Sequence, residues 1–205
     1  MTDISLPYFT AGPVGGSRGG VVVVHEGGGI SAQLLRFCER LAREGYRVAA
    51  PDLFFRAGGP EAADFGTLIG SLERQRTQDD LDSMAALLRR EGAQKVGVTG
   101  FCFGGRWTWR CSVSGNGFDA AVGFYGGGIA QDLGEPNIPT LLFFGGSDEY
   151  IPAADIEAVQ AHHKETIVYP DAGHGFMRDG SPSFHEQAAA DAWPRLLSFF
   201  AEHLG

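Results

Sequence analysis

Lys95-Val96-Gly97-Val98-Thr99-Gly100-Phe101-Cys102-Phe103-Gly104-Gly105-Arg106-Trp107-Thr108-Trp109 passes from a strand pattern to a helix pattern around one thiol. An apolar run ends at Gly100, Cys102 stands alone, and Gly104-Gly105 precede a helix that starts with Arg106. The form Gly-x-Cys-x-Gly is a nucleophile elbow with cysteine where serine is commoner. A nucleophile on such a turn sits at a strained backbone angle. The residues two before and two after it must therefore lack a Cβ if strand and helix are to pass closely. The turn also aims the Phe103 N–H and the helix N-terminus toward the thiol, where an oxyanion would be held. The competing reading is a buried cysteine in a glycine-rich turn.

The flanking sequence decides between these readings. Gly20 to His25 is a continuous β-branched run, the mark of a strand buried on both faces of a parallel sheet. Ala32 to Glu44 places Leu34, Leu35, Phe37, Cys38 and Leu41 on one helical face, and Gly45 ends the helix. Tyr46 to Ala50 is the next strand. Residues 55 to 70 break into an excursion over the sheet edge, and Ser71 to Glu91 return as helix. Beyond the elbow, Ala120 to Tyr125 and Thr140 to Gly145 read as strands, Asp155 to Lys164 as helix and Glu165 to Tyr169 as the last strand. Residues 184 to 204 close the chain as a helix that Pro194 kinks or divides. A further edge strand is expected around Ile4 to Phe9. The alternation predicts an α/β fold: one domain over residues 1 to 205, with a doubly wound, mostly parallel sheet flanked by helices and no large cap domain.

Composition bounds the function. A formal charge of −9 and a pI near 5.0 argue against nucleic acid as partner but leave room for a small anion held by a local arginine. Three cysteines do not make a disulfide framework, and Met1-Thr2-Asp3-Ile4 does not begin a signal peptide, so a cytoplasmic location is expected. No apolar run nears the roughly 20 residues needed to span a bilayer. No cofactor or metal is called for: there is no Cys-x-x-Cys, no Gly-x-Gly-x-x-Gly and no phosphate-binding Gly-Lys-Ser/Thr loop. Cys38 and Cys111 read as helical core residues.

A thiol nucleophile needs a base and the base an orienter, in the order nucleophile, acid, histidine, each after a strand. Asp148 follows the strand ending at Gly145, and His174 follows the strand ending at Tyr169. His162, His163, His185 and His203 fall in helical stretches, and His25 precedes the nucleophile. The alternatives are a turn-forming aspartate and a surface histidine.

With these residues assembled, the chain resembles the dienelactone hydrolase family of the α/β-hydrolase fold, whose named activity is that of carboxymethylenebutenolidase. The likeness covers residues 19 to 204. It rests on Gly100-Phe101-Cys102-Phe103-Gly104-Gly105, Phe124-Tyr125-Gly126, Gly145-Gly146-Ser147-Asp148-Glu149-Tyr150-Ile151-Pro152 and Ala172-Gly173-His174-Gly175-Phe176.

The resemblance implies a cysteine hydrolase opening a small enol lactone or ester. Cys102, His174 and Asp148 would form its triad, and the N–H groups of Gly27 and Phe103 its oxyanion hole. Glu26 would face a neutral resting thiol until an anionic substrate displaces it. Its alternative role is to cap the following helix. The substrate carboxylate would meet Arg178 and a second arginine from Glu73-Arg74-Gln75-Arg76, Arg76 before Arg74, with Tyr125 also at the substrate. A monomer or small homo-oligomer is expected. The Gly27-Gly28-Gly29 loop departs from the family's bulkier pattern and predicts a wider cleft mouth. The rival classes are a dinucleotide-binding protein, against which Glu26 argues by repelling pyrophosphate, and a non-catalytic binding protein of the same fold.

Overall fold

The computed structural model describes residues 6–114 and 117–205. Seven strands form one sheet: β1 Tyr8–Ala11, β2 Gly20–Val24, β3 Arg47–Pro51, β4 Val96–Phe101, β5 Ala120–Phe124, β6 Thr140–Gly145 and β7 Thr166–Tyr169. Their order across the sheet is β1-β3-β2-β4-β5-β6-β7. Only β1 runs antiparallel, against β3. The helices are α1 Ala32–Arg43, α2 Phe65–Gly70, α3 Arg74–Arg90, α4 Phe103–Ser114, α5 Ala153–His162 and α6 Glu186–Leu204.

The β-branched run of β2 is central because both of its faces are covered. Val21 and Val23 pack into one core with Leu34, Cys38 and Leu41 of α1 and with Phe200 of α6. Val22 and Val24 pack into the other with Leu81, Met84 and Leu88 of α3. All five β2 residues are buried, which is why the run reads as continuous rather than alternating. The chain order reverses at β2, with β3 on one side and β4 on the other. Open α/β sheets carry their sites at the C-terminal ends of strands beside such a switch, and the elbow lies at the end of β4.

The edge strand lies later than Ile4 to Phe9; residues 4 and 5 fall outside the described residues. The 55–70 excursion contains α2, capped by Asp64, which accepts from the Thr67 N–H at 3.0 Å. Helix α3 starts at Arg74 rather than Ser71. Helix α6 is not divided at Pro194 but continues through it. Glu26 does not cap α1; Ser31 does, accepting from the Leu34 N–H at 3.2 Å.

Candidate active site

Cys102 has φ 55°, the left-handed region that a non-glycine residue occupies only under constraint. The constraint is visible on both sides. The Cys102 N–H donates to the Phe124 carbonyl at 3.0 Å, and its carbonyl accepts from Arg106 N–H at 3.1 Å, opening α4. The surrounding glycines permit this. A Cβ on Gly100 would lie 2.5 Å from the Gly104 oxygen, one on Gly104 2.2 Å from the Val24 oxygen, and one on Gly105 2.4 Å from the Phe124 oxygen. Helix α4 thus rests directly on the backbone of β2 and β5, with Cys102 at its head.

Two later loops meet the thiol. The Asp148 carboxylate is fully buried and oriented by its own turn, where Oδ1 accepts from the N–H groups of Tyr150 at 2.8 Å and Ile151 at 3.0 Å. Its other oxygen, Oδ2, lies 2.8 Å from His174 Nδ1. Burial opposes charge on the His174 ring, but hydrogen bonding with Asp148 and with the Cys102 sulfur outweighs it and raises the pKa from 6.5 to about 9. The rings of Tyr125 and Tyr150 stand edge-on to His174, with centroids at 5.0 and 5.1 Å.

Glu26 is placed differently from the resting arrangement that the resemblance implies. Its Oε2 accepts from Arg178 Nε at 2.7 Å and from Arg178 Nη2, so the carboxylate is engaged by a guanidinium rather than by the thiol. The loop carrying it is set by His25, a residue to which the sequence assigns no role. The fully buried His25 ring has its Nδ1 2.6 Å from the Glu26 carbonyl, and its Nε2 accepts from Leu53 N–H at 3.1 Å. Burial lowers its pKa, keeping the ring neutral with its proton on Nδ1. The N–H groups of Gly27 and Phe103 both lack a hydrogen-bond partner among the described residues. The wider mouth expected from Gly27-Gly28-Gly29 is partly filled: the Phe65 ring lies 2.9 Å from where a Gly27 Cβ would stand, and Pro60 packs over Gly29.

The cleft above the thiol has a volume of about 680 Å³. Cys102, His174, Gly27, Phe103 and Arg178 line it. Arg76 does not; it borders a separate groove with Leu53 and Arg56. Arg74 takes the place in the cleft, because two residues along a helix turn a side chain by about 200°. Tyr125 is fully buried behind His174 instead of lining the cleft, and it too has positive φ, 37°. Its hydroxyl lacks a hydrogen-bond partner among the described residues. Burial also pushes the Cys38 and Cys111 thiols up to about 12, as expected of inert core residues. Arg106 and Arg110, spaced one turn apart on α4, complete the cleft wall. Their spacing from Cys102, four residues for Arg106 and eight for Arg110, is the signal that could have found them.

A mostly parallel sheet in the order β1-β3-β2-β4-β5-β6-β7, flanked by helices and with a sharp strand–turn–helix at the end of β4, defines the α/β-hydrolase fold. The chain belongs to the dienelactone hydrolase family, whose model matches residues 6–204, and is a hydrolase of that family. A candidate carboxymethylenebutenolidase of Salmonella typhimurium is 37% identical over 98% of this chain and 84% of its own length. The crystal structure of a candidate dienelactone hydrolase from Klebsiella pneumoniae superposes with a TM-score of 0.86 at 34% identity, over 97% of this chain and 93% of the other. A dienelactone hydrolase-like promiscuous phosphotriesterase from metagenomic libraries is 25% identical, with a TM-score of 0.72 over 93% of this chain and 88% of the other. No helix among the described residues is long and apolar enough to cross a membrane.

Proposed function

We propose that this chain is a cysteine hydrolase that opens a small, anionic enol lactone or ester through an acyl-thioester. The observation that carries the reading is the placement of Cys102, at φ 55° on the elbow, beside a His174 ring bonded to Asp148 at 2.8 Å. Cys102 Sγ attacks the carbonyl carbon, and the N–H groups of Gly27 and Phe103 hold the oxygen as it becomes negative. The ester C–O bond then breaks, and His174 gives its proton to the departing oxygen. Water, deprotonated by the same ring, attacks the thioester and releases the acid and the thiol. A substrate carboxylate competes with Glu26 for Arg178, and the displaced Glu26 is then free to take the thiol proton. The three free thiols suit a reducing cytoplasm.

The direct test is acid quenching during turnover of dienelactone or 4-nitrophenyl acetate, followed by peptide mass analysis. The expected result is one acyl group on the peptide containing Cys102. Turnover with that peptide unmodified would overturn the thioester route.

A pH profile tests His174. The proton needed by the leaving oxygen is lost above about pH 9, so kcat/KM falls there. Asp148→Asn removes the main group that raises this pKa and moves the limb down by about 1–2 units. A limb that stays in place would remove Asp148 from this role. Because the folded pKa lies above the unfolded 6.5, the pair stabilises the protein fully below pH 6.5 and loses that contribution as pH rises through about 9. The melting temperature of wild type is therefore expected to fall toward that of His174→Gln between pH 6.5 and pH 10.

A further inference from the structure

The Glu26 carbonyl and the Gly27 N–H belong to one peptide group, and that group is trans, so the two point in opposite directions. Gly27 lines the cleft. The Glu26 carbonyl accepts twice, from His25 Nδ1–H at 2.6 Å and from Gly29 N–H at 3.1 Å. Glycine at 27 has no Cβ to restrain rotation of this peptide plane, and the Gly27 N–H itself has no partner among the described residues. The plane is therefore held from its carbonyl side.

The His25 ring is itself fixed. Its Nε2 accepts from Leu53 N–H at 3.1 Å and so carries no proton, which leaves the ring proton on Nδ1, facing the Glu26 carbonyl. The turn that presents Leu53 is tied down on both sides: Asp52 N–H donates to the Pro7 carbonyl at 2.9 Å, and Phe54 N–H donates to Asp52 Oδ1 at 3.1 Å. The fully buried ring lies edge-on to Phe54, with centroids at 4.7 Å, and stacks on Phe103 at 5.8 Å. Phe103 carries the other N–H assigned to the oxyanion. One side chain thus touches both residues that would hold the developing charge.

We infer that His25 is a positioning residue for the oxyanion hole: its Nδ1 proton fixes the plane of the peptide joining Glu26 and Gly27, and it strengthens the Gly27 N–H as a donor. The strengthening follows because an amide whose carbonyl accepts hydrogen bonds is polarised toward its own N–H. The inference rests on the reading of Gly27 N–H as an oxyanion donor to an ester attacked by Cys102. Its consequence is kinetic. A donor aimed at charge that develops only in the transition state acts on kcat and leaves KM nearly unchanged.

Two substitutions divide the ring's two hydrogen bonds. The amide nitrogen of His25→Asn falls where Nδ1 stood and keeps the donor to Glu26, whereas the amide oxygen of His25→Gln falls where Nε2 stood and keeps only the acceptor for Leu53. With 4-nitrophenyl acetate, His25→Gln is expected to lower kcat about 10- to 100-fold with KM within about twofold, and His25→Asn to keep kcat within about fivefold. The melting temperature should move the other way, with His25→Asn the less stable because the Leu53 N–H is left buried and unpaired. The amide ¹⁵N resonance of Gly27 reads the peptide without turnover. It is expected to shift upfield in His25→Gln relative to His25→Asn; both lack the ring, so the difference reports the lost donor. If His25→Asn does not fold, His25→Gln against wild type gives the same two readouts. An unchanged kcat in His25→Gln, an equal loss in both variants, or no ¹⁵N difference overturns the inference. The ¹⁵N difference in a protein that hydrolyses no ester supports the positioning by His25 and overturns only the hydrolase reading.

Discussion

Cys102→Ala is expected to lower kcat/KM for dienelactone and for 4-nitrophenyl acetate by about 10⁴-fold or more, leaving the melting temperature within a degree or two of wild type. The size follows from the chemistry, because removing a nucleophile abolishes the covalent route and leaves only what the oxyanion hole and binding provide. The stability expectation follows from the backbone. Cys102 is partly exposed and strained at φ 55°, and alanine carries the same Cβ and the same strain, so the folded state loses little. Cys102→Gly sharpens the point. Glycine relieves the left-handed strain and is expected to stabilise the protein by about 1 kcal/mol while abolishing activity. Steady-state hydrolysis and thermal unfolding of the same preparations separate the two effects. Undiminished activity in Cys102→Ala would sink the assignment of Cys102.

Gly104→Ala is expected to cost about 3 kcal/mol or more, or to prevent folding. Its Cβ would stand 2.2 Å from the Val24 oxygen and 2.7 Å from the His25 oxygen, and neither atom can move without breaking the β2 backbone or the His25 bridge that sets the Glu26 loop. Helix α4 would have to lift away from β2, carrying Cys102 and Arg106 with it. Gly28→Ala is the control: a Cβ there meets nothing within 4 Å, and its φ is not in the left-handed range, so a change within about 0.5 kcal/mol is expected. Chemical denaturation of both variants measures the difference. A Gly104→Ala protein as stable as wild type would show that the close approach of α4 to β2 is not required.

The elements that were legible in the sequence share a physical cause. A strand buried on both faces needs an unbroken apolar run, and Gly20–Val24, Ala120–Phe124 and Thr140–Gly145 each have one. Asp148 and His174 were legible as loop residues because Asp148 closely follows the apolar run of β6 and His174 follows the half-buried edge strand β7, so their positions depend on strand ends alone. The short helix α2 was not legible. Its six residues, Phe65–Gly70, are too few for a periodic pattern, and Leu68 is the one residue it buries. The same excursion carries Phe65, which narrows the mouth that the glycine loop was expected to widen.

Local pattern therefore determined the strand–turn–helix that holds Cys102, the chain order of the acid and histidine after it, and the buried character of Cys38 and Cys111. Each depends on spacing within a few residues. Which arginine faces the cleft, which group Glu26 pairs with and where Tyr125 lies were decided only by the tertiary structure. Arg74 and Arg76 differ by two positions on one helix, and only the packing of α3 against β2 settles which of them points toward Asp132. Glu26 and Arg178 lie 152 residues apart in sequence. No local preference links them; β2 and β7 run parallel in one sheet, so the loops after them leave from the same end of it, where opposite charges in a half-buried cleft have each other as partners.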